Sequence, residues 1–365
     1  MNIGVPRERR PYEFRVGLTP PSVQILSEKY GHKIYVEKGA GEHAGFSDTA
    51  YERAGATILY NEQEIYTRPD LLVKVSRPTV EEIRLMRENT TLMAFLHLHA
   101  GKRNKIDLVL EKKITTIGLE LVSCPNGETP IRSQNAQLVG QNVANLSAQL
   151  LDNLHGGPGI LIGGAPGIPP AEVVIIGAGT TGRSLTKYFV NMGAQVTVLD
   201  KDLHALEKIH QIYPTNQVIT MMAISPNLEK VSRYADVLIL AVRISGEKPD
   251  IIITEEMVKN MKPRSLLIDI SIDQGGASET SRLTSHGSPT FVKHEVTHYC
   301  VPNINSIAAR TSSYAYNNAL MPYLIDFVNN DIDISLSKDF WKSGLVTLDG
   351  EIVNDKLKYR MENFK

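Results

Sequence analysis

The chain of 365 residues has few cysteines, few aromatic residues and no excess of either charge. Its two cysteines, Cys124 and Cys300, lie in unrelated segments without metal-ligand spacing, which argues against a disulfide scaffold and a cysteine zinc site. Aromatic residues make up 6% of the chain, and 39 basic residues stand against 40 acidic ones. We therefore expect neither a base-stacking platform nor a polybasic surface for nucleic acid or an anionic membrane.

Long apolar runs are also missing. No run approaches the length that crosses a bilayer, and the first residues, MNIGVPRERRPYEFR, lack the apolar segment of a secretory signal. We therefore expect a cytoplasmic protein with reduced thiols and no membrane partner. At this length, with 42% hydrophobic residues, the chain can form two globular domains, each with its own core.

One stretch, AEVVIIGAGTTGRSLTKYFVNMGAQVTVLD at residues 171–200, has the pattern of a dinucleotide-binding unit. The apolar run 173–176 predicts a buried parallel strand and leads into a G-x-G-x-x-G motif. Gly177 would allow the tight turn, Gly179 would let a pyrophosphate reach bare backbone, and Gly182 would let the helix pack on the strand. The following helix would point its free N–H groups at the phosphates.

A second apolar strand, 196–199, ends at Asp200, 18 residues after Gly182. A carboxylate at this place accepts hydrogen bonds from the adenosine ribose of NAD and repels the 2′-phosphate of NADP. Lys201 beside it weakens that preference. A glycine pattern alone is a weak signal, but here strand, glycines, helix, second strand and acid occur together. The combination favours NAD binding over an α/β turn that holds no ligand.

Alternating strand and helix patterns predict an α/β fold with two doubly wound, Rossmann-like domains linked by long helices. Apolar residues at helical spacing predict one such helix over residues 133–154. We place an NAD-binding domain with six strands at residues 135–305. A discontinuous substrate (catalytic) domain takes residues 1–134 and 306–365, with a helix predicted near its second start and no clear pattern after residue 330.

Polar side chains interrupt or follow apolar strands of the first domain, where substrates bind in doubly wound folds. Arg15 stands beside an apolar turn, and Lys74 interrupts the strand LLVKV, where an unpaired ammonium would be costly. His97 and His99 follow LMAFL, and no residue is spaced to complete a metal site with them, so we predict no metal. Each has an ordinary alternative: a surface charge for Arg15, a snorkelling side chain for Lys74, and packing for the histidines.

In the second domain, Asp269 and Asp273 flank the end of the strand in LLIDISIDQGG. The two differ in register, so we assign Asp269 a structural role and take Asp273 as the candidate that faces the substrate. Gly275 and Gly276 would let a cofactor ring approach the same loop.

Several segments together resemble the alanine dehydrogenase family, which includes the transhydrogenase α-subunit and saccharopine-reductase-like proteins. They are NIGVPRE, YEFRVGLTP, LLVKV, FLHLHA, the GAGTTG unit, IDISIDQGGASETSR and HYCVPN, within roughly residues 1–330. The resemblance implies reversible, NAD-dependent oxidative deamination of L-alanine to pyruvate and ammonia. It also implies a homo-oligomer, such as a hexamer, that takes an amino acid or 2-oxo acid as its small-molecule partner.

The resemblance also implies roles for single residues. Arg15 and Lys74 would bind the substrate carboxylate, one through a bidentate fork and the other as a point charge. His97 would be the general acid and base, and Asp273 would assist at the carbinolamine and iminium stages. Asp200 would bind the adenosine ribose, and Asn303 would lie near the nicotinamide.

Two segments depart from the family pattern. Residues 135–140 read Asn-Ala-Gln-Leu-Val-Gly where the family usually has M-S-E-x-A-G, so Ala136 replaces an expected serine. Residues 304–308 read Ile-Asn-Ser-Ile-Ala where the family usually has Met-Pro-Gly-Ala-Val. Two alternatives therefore stay open: a dehydrogenase of another amino acid, including a saccharopine-reductase-like activity, and a transhydrogenase-type or non-catalytic NAD-binding protein. The presence of His97 and Asp273 weighs against the second.

Overall fold

The computed structural model describes residues 1–97, 103–213, 217–242 and 250–362, so His99 lies outside the described residues. By their mutual contacts, the residues fall into two compact units. The first unit contains Met1–Asn135 and Ser306–Lys365, and the second contains Ala136–Asn305. This division does not test the predicted roles of the two units, which are substrate binding for the first and NAD binding for the second.

The strands in chain order are β1 (Asn2–Val5), β2 (Lys33–Glu37), β3 (Ala56–Leu59), β4 (Leu71–Ser76), β5 (Thr91–Phe95), β6 (Thr115–Gly118), β7 (Glu172–Ile176), β8 (Gln195–Asp200), β9 (Val218–Met222), β10 (Val237–Leu240), β11 (Leu266–Asp269), β12 (Thr290–Lys293), β13 (Val296–Tyr299), β14 (Leu345–Leu348) and β15 (Glu351–Ile352).

The helices are α1 (Pro20–Gln24), α2 (Asp48–Arg53), α3 (Glu62–Thr67), α4 (Val80–Leu85), α5 (Arg103–Glu111), α6 (Pro130–Leu150), α7 (Thr180–Asn191), α8 (Leu203–Ile212), α9 (Ser225–Tyr234), α10 (Glu255–Lys259), α11 (Ala309–Val328), α12 (Ile332–Ser337), α13 (Asp339–Gly344) and α14 (Asp355–Glu362). The predicted long helix is α6, which continues through the boundary between the two units.

The sheet of the first unit has, among the described residues, the strand order β15-β14-β6-β5-β4-β1-β2-β3. Strands β1 to β6 are parallel and follow the doubly wound order 3-2-1-4-5-6. β14 extends the sheet antiparallel to β6, and β15 pairs with β14. The C-terminal segment, which has no clear sequence pattern, therefore adds strands to the first sheet.

The sheet of the second unit has, within the described part of the chain, the order β12-β13-β11-β10-β7-β8-β9. Its parallel strands repeat the doubly wound order, so the predicted fold class is confirmed. The prediction of six strands misses the antiparallel edge strand β12. His294 and Glu295 connect β12 to β13, both with positive φ (52° and 59°). This hairpin turn lacks the glycine that usually marks such turns in a sequence.

Apolar side chains cover both faces of each sheet. In β4, Leu71, Val73 and Val75 belong to the core cluster that contains α11 residues, whereas Leu72 belongs to the cluster that contains residues of α3, α4 and α5. Alternation along the strand therefore puts Lys74 on the face of Leu72. Among the described residues, no helix is both long and apolar enough to span a membrane.

Candidate active site

The glycine motif forms the turn between β7 and α7 in the second unit. Gly177 has a φ of +111°, and a Cβ there would lie 2.6 Å from the carbonyl oxygen of Ala241. A Cβ at Gly182 would lie 1.8 Å from the carbonyl oxygen of Gly177. Gly179 is the exposed N-cap of α7, and a Cβ there would meet no protein atom within 4 Å. The protein's own backbone thus requires the first and third glycines, and the second leaves open space beside the helix N-terminus.

Asp200 ends β8 beside this turn. Its carboxylate accepts hydrogen bonds from the N–H of Ala178 (2.6 Å) and from the N–H of Asp202 (2.9 Å). The side chain is half-buried, so it connects the second strand to the glycine turn and still reaches solvent. A carboxylate in this position can accept further hydrogen bonds from a ribose.

The loop after β11 separates the two predicted aspartates. Asp269 is buried and accepts hydrogen bonds from the N–H groups of Ser271 and Ala277 and from the Ser281 hydroxyl. Burial raises the pKa of Asp269, and these hydrogen bonds oppose the rise. Asp273 is exposed in the short 3₁₀ turn that follows the strand. Asp269 therefore organises the loop, as expected, while Asp273 faces outward.

Asn303 lies beyond the last parallel strand of the second unit. It is half-buried and has a φ of +66°, in the left-handed region where asparagine is enriched.

Arg15 is buried, with 5% of its surface exposed, so it is not a surface charge. Its Nε and Nη2 each donate to one carboxylate oxygen of Glu13, both at 2.7 Å, and its Nη1 donates to Oδ1 of Asn135 at 3.2 Å. Burial alone would lower the pKa of Arg15, but the nearby acidic groups, chiefly Glu13, together raise it. The guanidinium is held rigidly in its charged form.

Lys74 is fully buried, which excludes the snorkelling alternative. Its Nζ lies 2.8 Å from Oε1 of Glu82 and 3.1 Å from Oε2 of Glu8. Burial alone would lower the pKa of Lys74, but the two carboxylates raise it. Lys74 is therefore a charged ammonium between two buried acids.

The two acids differ in their own support. Glu8 accepts hydrogen bonds from the Val75 N–H and the Ser76 hydroxyl, yet burial still raises its pKa. Glu82 accepts from the Tyr66 hydroxyl at 2.8 Å and from the backbone N–H of the residue that caps α4. Burial would raise the pKa of Glu82, but Lys74 and these donors lower it.

Sequence reasoning missed these carboxylates. The one available signal was the T-x-x-E spacing of Thr79 and Glu82, which predicts a capping box and which the structure contains. With Glu13, the buried network has three carboxylates for the two cations Arg15 and Lys74. It therefore carries one excess negative charge if every group is ionised.

His97 lies at the carboxyl end of β5, two residues after its last strand residue. Its φ of +43° is unusual for a residue other than glycine. Its N–H donates to Oε1 of Glu120 at 2.6 Å, and its ring stacks on that of Phe95 with 6.5 Å between centroids. About a third of the side chain is exposed (34%). The imidazole is therefore fixed at one side and open at the other.

Three predicted residues, Arg15, Lys74 and His97, belong to the first unit. The ring of Phe95 packs against the rings of both His97 and Tyr316. The Tyr316 hydroxyl donates to the carbonyl oxygen of Lys74 at 3.1 Å. The predicted cofactor residues and Asp273 belong to the second unit.

The segments that depart from the family pattern have packing roles. A Cβ at Gly140 would lie 2.3 Å from the Ser184 hydroxyl, so α6 and α7 approach closely there. The Ser306 hydroxyl accepts from the N–H of Phe14 at 3.1 Å and donates to the carbonyl oxygen of Tyr12, next to Arg15. Asn135, at the position of the family's usual methionine, contacts the Arg15 guanidinium directly.

Two family descriptions match the chain. Residues 4–139 match "Alanine dehydrogenase/PNT, N-terminal domain", and residues 144–355 match "Alanine dehydrogenase/PNT, C-terminal domain". Among curated proteins, the alanine dehydrogenase of Methanococcus maripaludis is 39% identical over 354 residues, covering 96% of this chain and 94% of the relative. That of Geobacillus stearothermophilus is 39% identical over 355 residues, covering 97% and 94%.

Solved structures give the same result. An L-alanine dehydrogenase superimposes with a TM-score of 0.94 at 33% identity, covering 100% of both chains. A transhydrogenase from Sinorhizobium meliloti superimposes with a TM-score of 0.82 at 23% identity, covering 97% of this chain and 99% of that one. The second likeness concerns the fold alone.

Proposed function

Because the chain belongs to the alanine dehydrogenase/PNT family, we propose that it is an NAD-dependent amino-acid dehydrogenase that converts L-alanine reversibly into pyruvate and ammonia. The observation that carries the proposal is the arrangement in the first unit. A buried guanidinium, a buried ammonium and a partly exposed imidazole belong to the same compact unit, and this set of groups suits a small carboxylate substrate and proton transfer.

Residues of the second unit fit NAD. The open space at Gly179 admits a pyrophosphate to the N-terminus of α7, and the half-buried carboxylate of Asp200 suits the ribose hydroxyls. The family resemblance assigns Asn303 to the nicotinamide end. NAD, when bound, supplies the hydride acceptor. Replacing Asp200 by alanine should reduce the preference for NAD over NADP. The ribose hydroxyls of NAD would lose a hydrogen-bond acceptor, and the 2′-phosphate of NADP would no longer be repelled by a carboxylate.

Arg15 would bind the substrate carboxylate. Glu13 and Asn135 already hold its guanidinium, so little side-chain freedom is lost when a substrate binds. Lys74 is enclosed between Glu8 and Glu82 and would contribute its positive charge to the same subsite. Fixing the carboxylate orients the carbon that loses the hydride, and such orientation can contribute about 7–11 kcal/mol.

His97 would move the protons. Loss of a hydride and a proton from alanine leaves an iminium, to which one water adds. His97 would take one proton from that water and return it to the nitrogen, and as the C–N bond breaks the hydroxyl proton passes to the departing nitrogen, giving pyruvate and ammonium. Asp273 would stabilise the positive iminium. The sum is alanine, NAD⁺ and water to pyruvate, ammonium, NADH and one proton.

A second candidate, the dehydrogenase of another amino acid, has one specific observation in its favour. Asn135 places an amide at the Arg15 guanidinium where the family usually has methionine. An amide can hydrogen-bond a polar substrate side chain, which a thioether does poorly.

A screen of amino acids with NAD and NADP in parallel, followed by NADH or NADPH absorbance, tests both candidates. Turnover with alanine and NAD supports the proposal, turnover confined to serine-like or lysine-like substrates supports the second candidate, and tight NADH binding without any turnover contradicts both. His97→Ala should lower kcat by about 10²–10⁴-fold while NADH still binds. His204→Ala, at an exposed histidine of α8, is the matched control and should leave kcat unchanged.

A homo-oligomeric assembly and a cytoplasmic location complete the proposal. They follow from the family resemblance and from the cysteine content, and size-exclusion chromatography with light scattering tests the first.

A further inference from the structure

Glu120 lies two residues beyond the end of β6 and is almost completely buried, with 2% of its surface exposed. β6 is the parallel neighbour of β5, with Gly118 paired to Ala94. The side chain therefore starts at the end of one strand and reaches the end of the next. A buried carboxylate needs strong partners, because its desolvation is otherwise unfavourable.

Its hydrogen-bond partners are the backbone N–H groups of His97, the candidate acid and base, and of the residue before it. Oε2 of Glu120 accepts the N–H of Leu96 at 3.0 Å, and Oε1 accepts the N–H of His97 at 2.6 Å. The same Oε1 lies 3.7 Å from Nδ1 of the His97 ring. One carboxylate thus contacts the backbone of the histidine and stands beside one ring nitrogen.

The backbone contacts have a reason. His97 has a positive φ of +43°, which a residue with a Cβ adopts at a cost. A carboxylate that accepts two consecutive N–H groups holds the chain in this turn. The ring of Phe95 fixes the ring plane from one face.

The charge also affects the ring. A neutral imidazole carries its proton on one nitrogen, and a carboxylate beside Nδ1 favours the tautomer protonated there. Nε2 is then left as the acceptor that can take a proton from a reacting water.

We propose that Glu120 is a positioning residue for His97: it holds residues 96–97 in the left-handed turn and keeps the ring proton on Nδ1, so that Nε2 exchanges protons with the substrate. The inference rests on the proposed function, because it assumes that His97 is the acid and base. It assigns Glu120 a role that acts through His97.

Two substitutions separate charge from geometry. Glu120→Gln keeps the size but removes the charge, and it replaces one of the two accepting oxygens by an NH2 group, which donates. Glu120→Asp keeps the charge but is one methylene shorter. Glu111→Gln, an exposed glutamate at the end of α5, is the matched control.

The first readout is the ring tautomer, measured by NMR on the full-length protein labelled with ¹⁵N-histidine at alkaline pH, where imidazole is neutral. The His97 signal is identified by its loss in His97→Gln. We expect a proton on Nδ1 in the unchanged protein and in Glu111→Gln. In Glu120→Gln the population should shift toward a proton on Nε2.

The second readout is the split between kcat and KM for pyruvate reduction. We expect Glu120→Gln to lower kcat about 100-fold, in the range that general acid and base catalysis contributes, with KM changed less than about threefold. Glu120→Asp should recover part of the rate. An unchanged tautomer or an unchanged kcat in Glu120→Gln would overturn the proposal, and Glu120→Asp decides the matter by the same readouts if Glu120→Gln does not fold.

The role of His97 in the proposed function and the positioning role of Glu120 can be refuted separately. Normal turnover by His97→Gln would refute the role of His97 in the proposed function, whereas a tautomer shift in Glu120→Gln would still place Glu120 in control of the ring. Loss of turnover in His97→Gln together with a wild-type rate in Glu120→Gln would refute only the positioning role.

Discussion

The parallel strands of the two units have the same order, but different chemical groups follow the first strand of each unit. In the second unit, β7 runs into Gly177, and bare backbone forms the edge of the sheet. In the first unit, β1 runs into a loop whose Glu8 is buried against Lys74. An edge of backbone N–H groups suits a large polyanion, whereas an edge of charged side chains suits a small acid and its protons. The same fold therefore provides two different sites.

Buried charge shows the same contrast. Of the Asp, Glu, Lys and Arg side chains in the described residues, the second unit buries Asp269. The first unit buries more of them: Glu8, Glu13, Arg15, Glu37, Lys74, Glu82 and Glu120. Since buried charges are stable only when they are paired or hydrogen-bonded, the first unit should be sensitive to the loss of one partner, and the second to the loss of a close backbone contact.

The largest effect should come from Lys74→Met. Removal of the ammonium leaves Glu8 and Glu82 buried without their cation, and breaking a buried pair in this way costs about 3–5 kcal/mol. We expect the free energy of unfolding, measured with urea, to fall by that amount. Lys259→Met, at an exposed pair with Glu256 in the second unit, is the control and should cost less than about 1 kcal/mol. Equal losses in the two variants would remove the contrast between the units.

The second unit has its own titrating group in His298. This histidine is fully buried, with Nδ1 at 2.9 Å from the carbonyl oxygen of Val296 and Nε2 at 2.8 Å from the Thr280 hydroxyl. Both contacts suit a neutral ring that donates from Nδ1 and accepts at Nε2. Burial lowers the pKa of His298 to about 4, from its usual 6.5.

Between these two pH values the unfolded chain binds a proton at His298 that the folded chain does not. The free energy of unfolding should therefore fall as the pH drops from about 6.5 to about 4, by about 3 kcal/mol for this group. Urea unfolding across this range should show a shallower pH slope for His298→Gln than for the unchanged protein. Parallel curves for the two proteins would show that His298 does not govern acid stability.

Much of the fold could be predicted because its signals are local. Apolar runs of four or five residues mark the parallel strands, and the glycine spacing marks the turn between β7 and α7. Lys74 could be singled out because an ammonium inside an apolar strand requires a partner. The sequence did not tell which partners, because Glu8 lies 66 residues before Lys74 and approaches it only when β1 and β4 pair.

The missed elements have physical reasons as well. β12 is an edge strand without a fully buried residue, so it shows no buried alternation, and its turn uses His294 and Glu295 instead of glycine. β14 forms only by pairing with β6, more than 200 residues earlier. Glu120 shows no motif of its own: its role depends on the parallel pairing of β5 with β6, which brings it to the backbone of His97.

The smallest expected changes in stability come from the glycines of the turn between β7 and α7, and they test directly whether this backbone binds the phosphates. Gly182→Ala places a methyl group against the carbonyl oxygen of Gly177, so we expect it to lower the free energy of unfolding by about 1–3 kcal/mol and to weaken NADH binding. Gly179→Ala meets no protein atom, so stability should change by less than about 0.5 kcal/mol. If a pyrophosphate lies against this residue, NADH affinity, measured by fluorescence titration, should still fall about tenfold, or about 1.4 kcal/mol. A Gly179→Ala protein with unchanged affinity would show that the open space is not where the phosphates bind, and that only the turn itself requires glycine.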